Sequence, residues 1–208
     1  MKKFISFEGI DGCGKSTQIK LLSEKLTEVG INNIIVREPG DTNISNKIRS
    51  ILLDKNNKIS KISETMLFLS ARSQLVNEKI IPFYEDGNIV LCDRYIDSTI
   101  AYQGYGRNLD VEMLEKLNKF ATKNYIPDIT FILDIDCKVA YERLKSSNLD
   151  RMELSGVGFL ESVSHGYKKI ASMNKDRCKV IDCSNKDIIT IHEEIINIFN
   201  LHCGKDVL

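Results

Sequence analysis

A glycine-rich stretch near the start of the chain carries the strongest chemical signal. It reads Gly-Ile-Asp-Gly-Cys-Gly-Lys-Ser at 9–16, follows a short apolar run and precedes apolar residues at helical spacing. Glycines let successive backbone N–H groups point at phosphate oxygens, and a helix that begins there adds the positive end of its dipole. The Lys15 ammonium is expected to reach the β- and γ-phosphates, and the Ser16 hydroxyl to hold Mg²⁺. This P-loop pattern predicts a nucleoside triphosphate site, and a glycine-rich turn that matches by chance is the alternative. The residues predicted to bind the triphosphate are Gly9, Ile10, Asp11, Gly12, Cys13, Gly14, Lys15, Ser16 and Thr17.

A carboxylate and an arginine follow another apolar run, Ile-Val-Leu-Cys at 89–92. An aspartate that ends a buried strand is the Walker B pattern, so Ser16 and Asp93 are the predicted metal ligands. A helix N-cap is the alternative role for Asp93. Arg94 is expected to face anionic oxygens, because a guanidinium can bind a phosphate through two parallel hydrogen bonds.

Two further arginines, Arg143 and Arg151, bracket a polar stretch. Such residues can close over a reacting phosphoryl group, neutralise its charge and exclude water. The segment at about 146–158 is therefore a candidate lid. A solvated surface loop with incidental charges is the alternative, and the sequence alone leaves both open.

Three residues four positions apart, Glu64, Phe68 and Arg72, share one face of a predicted helix at about 62–84. They are candidates for a binding surface. Spacing alone favours the other interpretation, a core-facing phenylalanine flanked by a surface ion pair.

The elements that must position these residues form an α/β pattern. Strand-like runs that are mostly apolar on both faces alternate with helical patterns, which is typical of a doubly wound, five-stranded parallel sheet covered by helices on both faces. Ligands of such sheets lie at the carboxyl ends of the strands. The strands are predicted at 3–8, 32–36, 88–92, 129–134 and 178–182, and helices with candidate residues at about 43–54, 62–84 and 137–146.

Composition limits the classes of function. The 208 residues, 42% apolar, are enough for one α/β domain spanning 1–208. Lys plus Arg and Asp plus Glu number 29 each, so no overall basic field favours a nucleic acid or a membrane as partner. The start of the chain has no apolar run of signal-peptide or membrane-spanning length, so a cytoplasmic protein is expected.

Six cysteines are scattered without a C-x-x-C pair, and the three histidines form no ligand cluster with them, so neither zinc nor a disulfide framework is expected. Cys13 is interpreted as a small residue that fits the phosphate loop. A reactive thiol at a helix N-terminus is its alternative.

A switch GTPase is a further alternative, because Asn-Lys-Asp at 185–187 follows the last strand. The guanine-reading Asn-Lys-x-Asp spacing fails, since residue 188 is Ile, and no Asp-x-x-Gly begins at Asp93. A regulatory GTPase is therefore disfavoured. A small P-loop nucleotide or metabolite kinase and a P-loop switch or partition ATPase both stay open as alternatives.

Taken together, the motifs resemble those of the thymidylate kinases over essentially the whole chain. They are the phosphate loop with Phe-Glu before it at 7–16, Arg-Glu-Pro-Gly at 37–40, Asp-Arg-Tyr at 93–95, Ser-x-x-Ala-Tyr-Gln-Gly at 98–104 and Leu-Asp-Arg at 149–151. The resemblance implies a P-loop kinase fold and transfer of the γ-phosphoryl group of ATP to dTMP, with Mg²⁺ as cofactor. It also implies a homodimer.

The same resemblance implies roles for individual residues. Phe68 is expected to stack on thymine and Arg72 to donate to a base carbonyl, while Arg49 and Arg94 hold the dTMP phosphate. Tyr102 is expected to crowd the sugar 2′ position, and Asp11 to contact the 3′-hydroxyl. The dTMP-binding residues it implies are Asp11, Glu38, Arg49, Phe68, Arg72, Arg94, Ser98, Tyr102 and Gln103.

The phosphate loop has no basic residue at its variable positions 10–13, which resembles the bacterial type in which the lid supplies that charge. The catalytic residues implied are Lys15, Asp93, Arg94, Arg143 and Arg151. Two features depart from the family pattern. Asp41 stands where many members have a glycine, and the segment at 155–160 is less polar than expected.

Overall fold

The computed structural model describes residues 1–145, 150–204 and 207–208. Within them a five-stranded parallel sheet has the order β2-β3-β1-β4-β5. The predicted doubly wound α/β fold is confirmed. The strands are β1 (Lys3–Glu8), β2 (Asn33–Arg37), β3 (Ile89–Asp93), β4 (Ile129–Asp134) and β5 (Cys178–Asp182).

Helices connect the strands as crossovers, which parallel strands require. A π-helical stretch, Val76–Ile80, joins α3 to α4, and a second one, Ile100–Gly106, continues α5. The α-helices are α1 (Lys15–Glu28), α2 (Asn43–Leu53), α3 (Lys61–Leu75), α4 (Ile81–Glu85), α5 (Ile96–Thr99), α6 (Val111–Thr122), α7 (Cys137–Lys145), α8 (Val157–Met173) and α9 (Ile188–Cys203).

Two apolar clusters cover the two faces of the sheet. Alternate side chains of a strand point to opposite faces, and β1 accordingly sends Ile5 and Phe7 into one cluster and Phe4 into the other. Residues in the middle of β3 divide in the same way, with Leu91 in the first cluster and Val90 in the second. Burial on both faces explains why these strands are continuously apolar.

The element boundaries differ from the predicted ones by small amounts. Strands β2 and β3 lie one residue later, so Asp93 is the last residue of β3, in register with Phe7. The predicted helix at 62–84 corresponds to α3, the first π-helical stretch and α4 in succession. Helix α7 extends to Lys145, and residue 146 lies outside the described residues.

No helix in the described part of the chain is both long enough and apolar enough to span a membrane.

Candidate active site

Close backbone contacts explain two glycines of the phosphate loop. Gly9 has φ 133° and Gly12 has φ 82°, in the region that side chains disfavour. A Cβ atom on Gly9 would lie 2.5 Å from the Leu133 carbonyl oxygen of β4, and one on Gly12 would lie 2.6 Å from the Ala140 carbonyl oxygen of α7. The loop is therefore fitted between the end of β4 and helix α7.

Lys15, the first residue of α1, is buried against this loop. Its ammonium donates to the carbonyl oxygens of Gly9 at 3.1 Å and Ile10 at 3.0 Å, and it lies 3.7 Å from the Cys13 sulfur. Cys13 is itself buried, which favours the interpretation of a small residue that fits. These contacts hold the positive charge within the loop.

The side chains of Ser16 and Asp93, the two predicted metal ligands, are in contact. The Ser16 hydroxyl donates to Asp93 Oδ2 at 3.0 Å, at the carboxyl end of β3. A hydroxyl and a carboxylate are hard oxygen ligands, and they fit Mg²⁺, which usually takes its remaining ligands from phosphate and water. The described residues contain no cluster of three or more His, Cys, Asp or Glu side chains arranged for a metal.

Two pockets meet beside the loop. The phosphate-loop pocket is lined by Asp11, Gly12, Gly14, Lys15, Ser16, Thr17, Arg37, Glu38, Arg49, Asp93 and Arg94. The acceptor pocket is lined by Asp11, Glu38, Pro39, Arg49, Leu53, Phe68, Arg72, Arg94, Ser98, Thr99, Tyr102, Gln103, Asp150 and Met152. It brings together all nine residues that the sequence analysis assigned to dTMP. Four residues line both pockets, so ligands bound in the two would approach one another there.

Asp11 and Arg94 form the central ion pair of this junction. Arg94 Nη2 and Asp11 Oδ1 are 2.5 Å apart, and the Tyr102 hydroxyl donates to Asp11 Oδ2 at 2.9 Å. Burial alone would raise the pKa of Asp11, but the positive charges of Arg94 and Lys15 outweigh burial and lower it to about 2. Arg94 adopts φ 70°, an unusual conformation for a side chain of this size. The aspartate in the phosphate loop is therefore ionised and aimed at the acceptor side.

A buried carboxylate that the sequence analysis did not single out lies behind this pair. Glu8, at the end of β1, accepts hydrogen bonds from the Tyr95 amide at 2.7 Å, the Ser98 hydroxyl at 2.6 Å and the Tyr167 hydroxyl at 2.9 Å. Arg94 Nη1 in turn lies 3.2 Å from each of those two hydroxyl oxygens. Burial, followed by the neighbouring Asp97, raises the pKa of Glu8 to about 7.

Glu8 had one sequence signal, because it is a charged residue ending an apolar strand. Tyr167 had none, since it comes from α8, 159 positions later in the chain.

Arg72 is held by a dense set of acceptors in the wall of the acceptor pocket. It is paired with Glu38 at 2.6 Å, and it donates to Thr99 Oγ1, Asn118 Oδ1 and the Tyr95 carbonyl. Burial raises the pKa of Glu38 even though Arg72 opposes that shift. Its Oε1 atom is buried and has no partner among the described residues.

Glu64 does not pair with Arg72, so the surface ion-pair interpretation is wrong. Its side chain is 2% exposed, and its carboxylate binds Arg107 at 3.1 Å, Arg151 at 2.6 Å and the Gln103 amide at 3.1 Å. Burial opposes ionisation of this carboxyl, but the two arginines and Gln103 outweigh burial and lower its pKa. The spacing along α3 correctly predicted that Glu64 and Arg72 share a helix face, but it did not identify the partners of Glu64.

The two predicted lid arginines lie in different places. Arg143 Nη1 donates to the Gly12 carbonyl of the phosphate loop at 3.0 Å. Arg151 binds Glu64 and donates from Nε to the Leu52 carbonyl at 2.6 Å, so this structure does not bring it to the phosphate loop. Residues 146–149 of the candidate lid lie outside the described residues. Its last part holds a 3₁₀ turn, Glu153–Ser155, before α8 begins at Val157.

Arg49 and Asp41 belong to the turn that follows β2. Arg49 Nη1 donates to the Pro39 carbonyl at 2.8 Å, and burial together with Arg37 lowers the pKa of Arg49. Asp41 has φ 64°, and its carboxylate accepts from the Arg37 amide at 2.5 Å. The aspartate thus keeps a left-handed conformation and adds a contact that glycine lacks.

The chain is similar to known thymidylate kinases in both sequence and fold. A sequence model of the thymidylate kinase family matches residues 7–195. The thymidylate kinase of Thermosipho africanus (strain TCF52B) is 50% identical over 199 residues, 96% of this chain and 98% of the relative. That of Thermoanaerobacter sp. (strain X514) is 45% identical over 196 residues, 94% and 96% of the two chains. The crystal structure of thymidylate kinase from Ehrlichia chaffeensis aligns with a TM-score of 0.77 at 38% identity, over 95% of this chain and 98% of that one.

Proposed function

Since the chain belongs to the thymidylate kinase family, it is a nucleoside-monophosphate kinase that phosphorylates dTMP, and we propose how its residues share that reaction. The observation that carries the proposal is the junction of the two pockets, where Asp11, Glu38, Arg49 and Arg94 line both. ATP in the phosphate-loop pocket and dTMP in the acceptor pocket direct their phosphates toward this junction. In-line transfer needs that arrangement.

On the donor side, the backbone of the phosphate loop and Lys15 hold the ATP phosphates. Ser16 and Asp93 hold Mg²⁺, which supplies charge neutralisation on the phosphate oxygens when it is bound. Their 3.0 Å separation supports this assignment.

On the acceptor side, Arg49 and Arg94 bind the dTMP phosphate, and Phe68 stacks on the base. Asp11 faces the sugar, with Tyr102 beside it. The acceptor phosphate is already ionised near neutral pH, so no side chain has to remove a proton. Catalysis by these residues is therefore alignment and electrostatic stabilisation.

Arg143 and Arg151 supply the positive charge that the phosphate loop lacks. The Arg143 contact with Gly12 supports this role directly. For Arg151 the role requires that its side chain leave Glu64, which would keep its contacts with Arg107 and Gln103.

The test is ATP turnover with dTMP, dUMP, dCMP, GMP and shikimate supplied in parallel. We expect strong stimulation by dTMP, loss of turnover in Lys15→Met, and loss on removal of Mg²⁺ with recovery when Mg²⁺ is restored. Stimulation by a different acceptor would assign the chain to another small P-loop kinase. Turnover that no acceptor stimulates would exclude the kinase function and leave a P-loop switch ATPase.

We further propose that residues 1–208 form one kinase domain, that the enzyme is a homodimer, and that it acts in the cytoplasm. The resemblance to the family supports each of these statements.

A further inference from the structure

The Gln103 amide is oriented by a partner that can only accept hydrogen bonds. Gln103 is buried and lines the acceptor pocket, whereas Glu64 lies behind it. The two residues are joined by one hydrogen bond, from Gln103 Nε2 to Glu64 Oε1 at 3.1 Å. A carboxylate has no proton to donate, so it fixes which end of the amide faces it.

Glu64 stays ionised because two arginines surround it. Arg107 and Arg151 contact its carboxylate at 3.1 Å and 2.6 Å. Burial raises the pKa of this carboxyl, and the arginines with Gln103 lower it by more. A protonated Glu64 could donate a hydrogen bond to the oxygen of a reversed Gln103 amide, and this environment disfavours the protonated form at neutral pH.

The other end of the amide is therefore available to a ligand. Gln103 Oε1 accepts no hydrogen bond within the described residues, and it is not among their buried polar atoms without a partner. Since Nε2 is turned toward Glu64 and Gln103 lines the acceptor pocket, the carbonyl oxygen is the end presented to that pocket.

We propose that Glu64 is a positioning residue for base selectivity, which turns the Gln103 carbonyl toward the pocket to accept the N3–H of thymine or uracil. Cytosine has an unprotonated N3 acceptor at the same ring position, so the two acceptors would repel one another. A site built to pair with a polar group rejects an analogue that leaves it unpaired far more strongly than an apolar pocket does. This inference rests on the proposed use of the acceptor pocket for a pyrimidine nucleotide.

The decisive variant is Glu64→Gln, which has nearly the same shape. The arginines attract the oxygen of the new amide and leave its NH₂ group toward residue 103, so the Gln103 amide reverses and presents NH₂ to the pocket. We expect the ratio of kcat/KM for dTMP to that for dCMP to fall at least about 10-fold, mainly through KM. The ratio of dTMP to dUMP stays unchanged, because both bases carry N3–H.

Two controls separate base reading from loosening of the cluster. Arg107→Lys weakens the packing around Glu64 but keeps the carboxylate, and we expect it to leave the dTMP to dCMP ratio unchanged. In a Gln103→Leu background, Glu64→Gln should no longer alter that ratio, because the amide through which it acts is gone.

Wild-type measurements keep the inference testable even where Glu64→Gln does not fold. Wild-type enzyme that uses dCMP as readily as dTMP, or that binds N3-methyl-dTMP as tightly as dTMP, overturns it. Equal losses of dTMP and dCMP activity in Glu64→Gln also overturn it and leave Glu64 a structural role. Wild-type enzyme without dTMP activity contradicts the proposed function instead, so the two failures are distinguishable.

Discussion

At the scale of single residues, two carboxyl groups on either side of Arg94 have pKa values shifted in opposite directions. Asp11 is ionised because Arg94 and Lys15 outweigh its burial, and its pKa lies at about 2. Glu8 is fully enclosed, and burial and Asp97 raise its pKa to about 7 although Arg94 opposes them. Arg94 is thus paired with the ionised Asp11 on the ligand side. On its other side it contacts the Ser98 and Tyr167 hydroxyl groups, which are hydrogen-bonded to Glu8.

The raised pKa of Glu8 predicts a pH dependence of stability. Between the ordinary value of 4.5 and about 7, the unfolded chain has lost the proton that the folded protein keeps. The unfolded state binds fewer protons there, so stability falls as pH rises through this window, by about 3 kcal/mol in total. We expect Glu8→Gln to remove this contribution, because its amide can replace the protonated carboxyl in the contacts to Tyr95, Ser98 and Tyr167.

Urea unfolding of wild type and Glu8→Gln at pH 5 and pH 7.5 measures this effect. The variant should gain stability relative to wild type at the higher pH. Glu112→Gln, which removes an exposed negative charge, serves as the control and should follow wild type. If the difference in unfolding free energy between wild type and Glu8→Gln is the same at both pH values, the raised pKa of Glu8 is contradicted.

The sequence predicted positions best for residues that belong to a local motif. The Ser16–Asp93 contact fits this pattern, because Asp93 ends β3 and Ser16 lies at the start of α1, just after the loop that follows the neighbouring strand β1. Glu64 was misread because spacing of four on a helix identifies a shared face but not the partners that pack on it. Its partners Gln103 and Arg107 come from the second π-helical stretch and the residue just after it, about 40 positions along the chain.

At the scale of elements, helix α7, which precedes the candidate lid in the chain, packs against the phosphate loop. Its Ala140 carbonyl lies so close to Gly12 that a Cβ atom there would approach within 2.6 Å, and Arg143, one turn later, donates to Gly12. The sequence predicted this helix and its arginine but not its contact with the loop, since nothing in a linear pattern gives the angle at which a helix packs.

This contact predicts that Arg143 contributes more than Arg151 to the chemical step as long as Arg151 remains paired with Glu64. We expect Arg143→Ala to lower kcat about 10²-fold or more with a smaller change in KM for dTMP, the loss typical of one electrostatic donor to a transition state. Arg151→Ala should also lower kcat. It should lower the Tm as well, because it removes one of the donors to Glu64 and the side-chain donor to the Leu52 carbonyl.

Steady-state kinetics with both substrates varied, together with thermal unfolding, separate these effects. Lys138→Ala changes an exposed basic residue in the first turn of the same helix and should leave kcat near wild type. Unchanged kcat in both Arg143→Ala and Arg151→Ala would rule out the proposed role of the lid arginines.

At the scale of the whole molecule, three neighbouring helices expose large apolar side chains. Helices α2 and α3 pack together, and α6 packs on α3. Contiguous exposed apolar surface marks interaction sites in many proteins, so these side chains are candidates for an interface. The side chains are Ile44 and Ile51 of α2, Ile62 and Met66 of α3, and Met113 and Phe120 of α6.

We expect the proposed homodimer to form through these helices. Phe120 is 85% exposed, so Phe120→Asp removes apolar contact area without disturbing the core. Light scattering on the wild-type chain should give twice its mass of 23.6 kDa, and the variant should shift toward that single-chain mass because it buries a charge in the interface. Leu201→Asp is the matched control, since Leu201 is 76% exposed on α9, and it should stay dimeric. A wild-type protein that is monomeric at assay concentrations, or a Phe120→Asp dimer as tight as wild type, would exclude this surface.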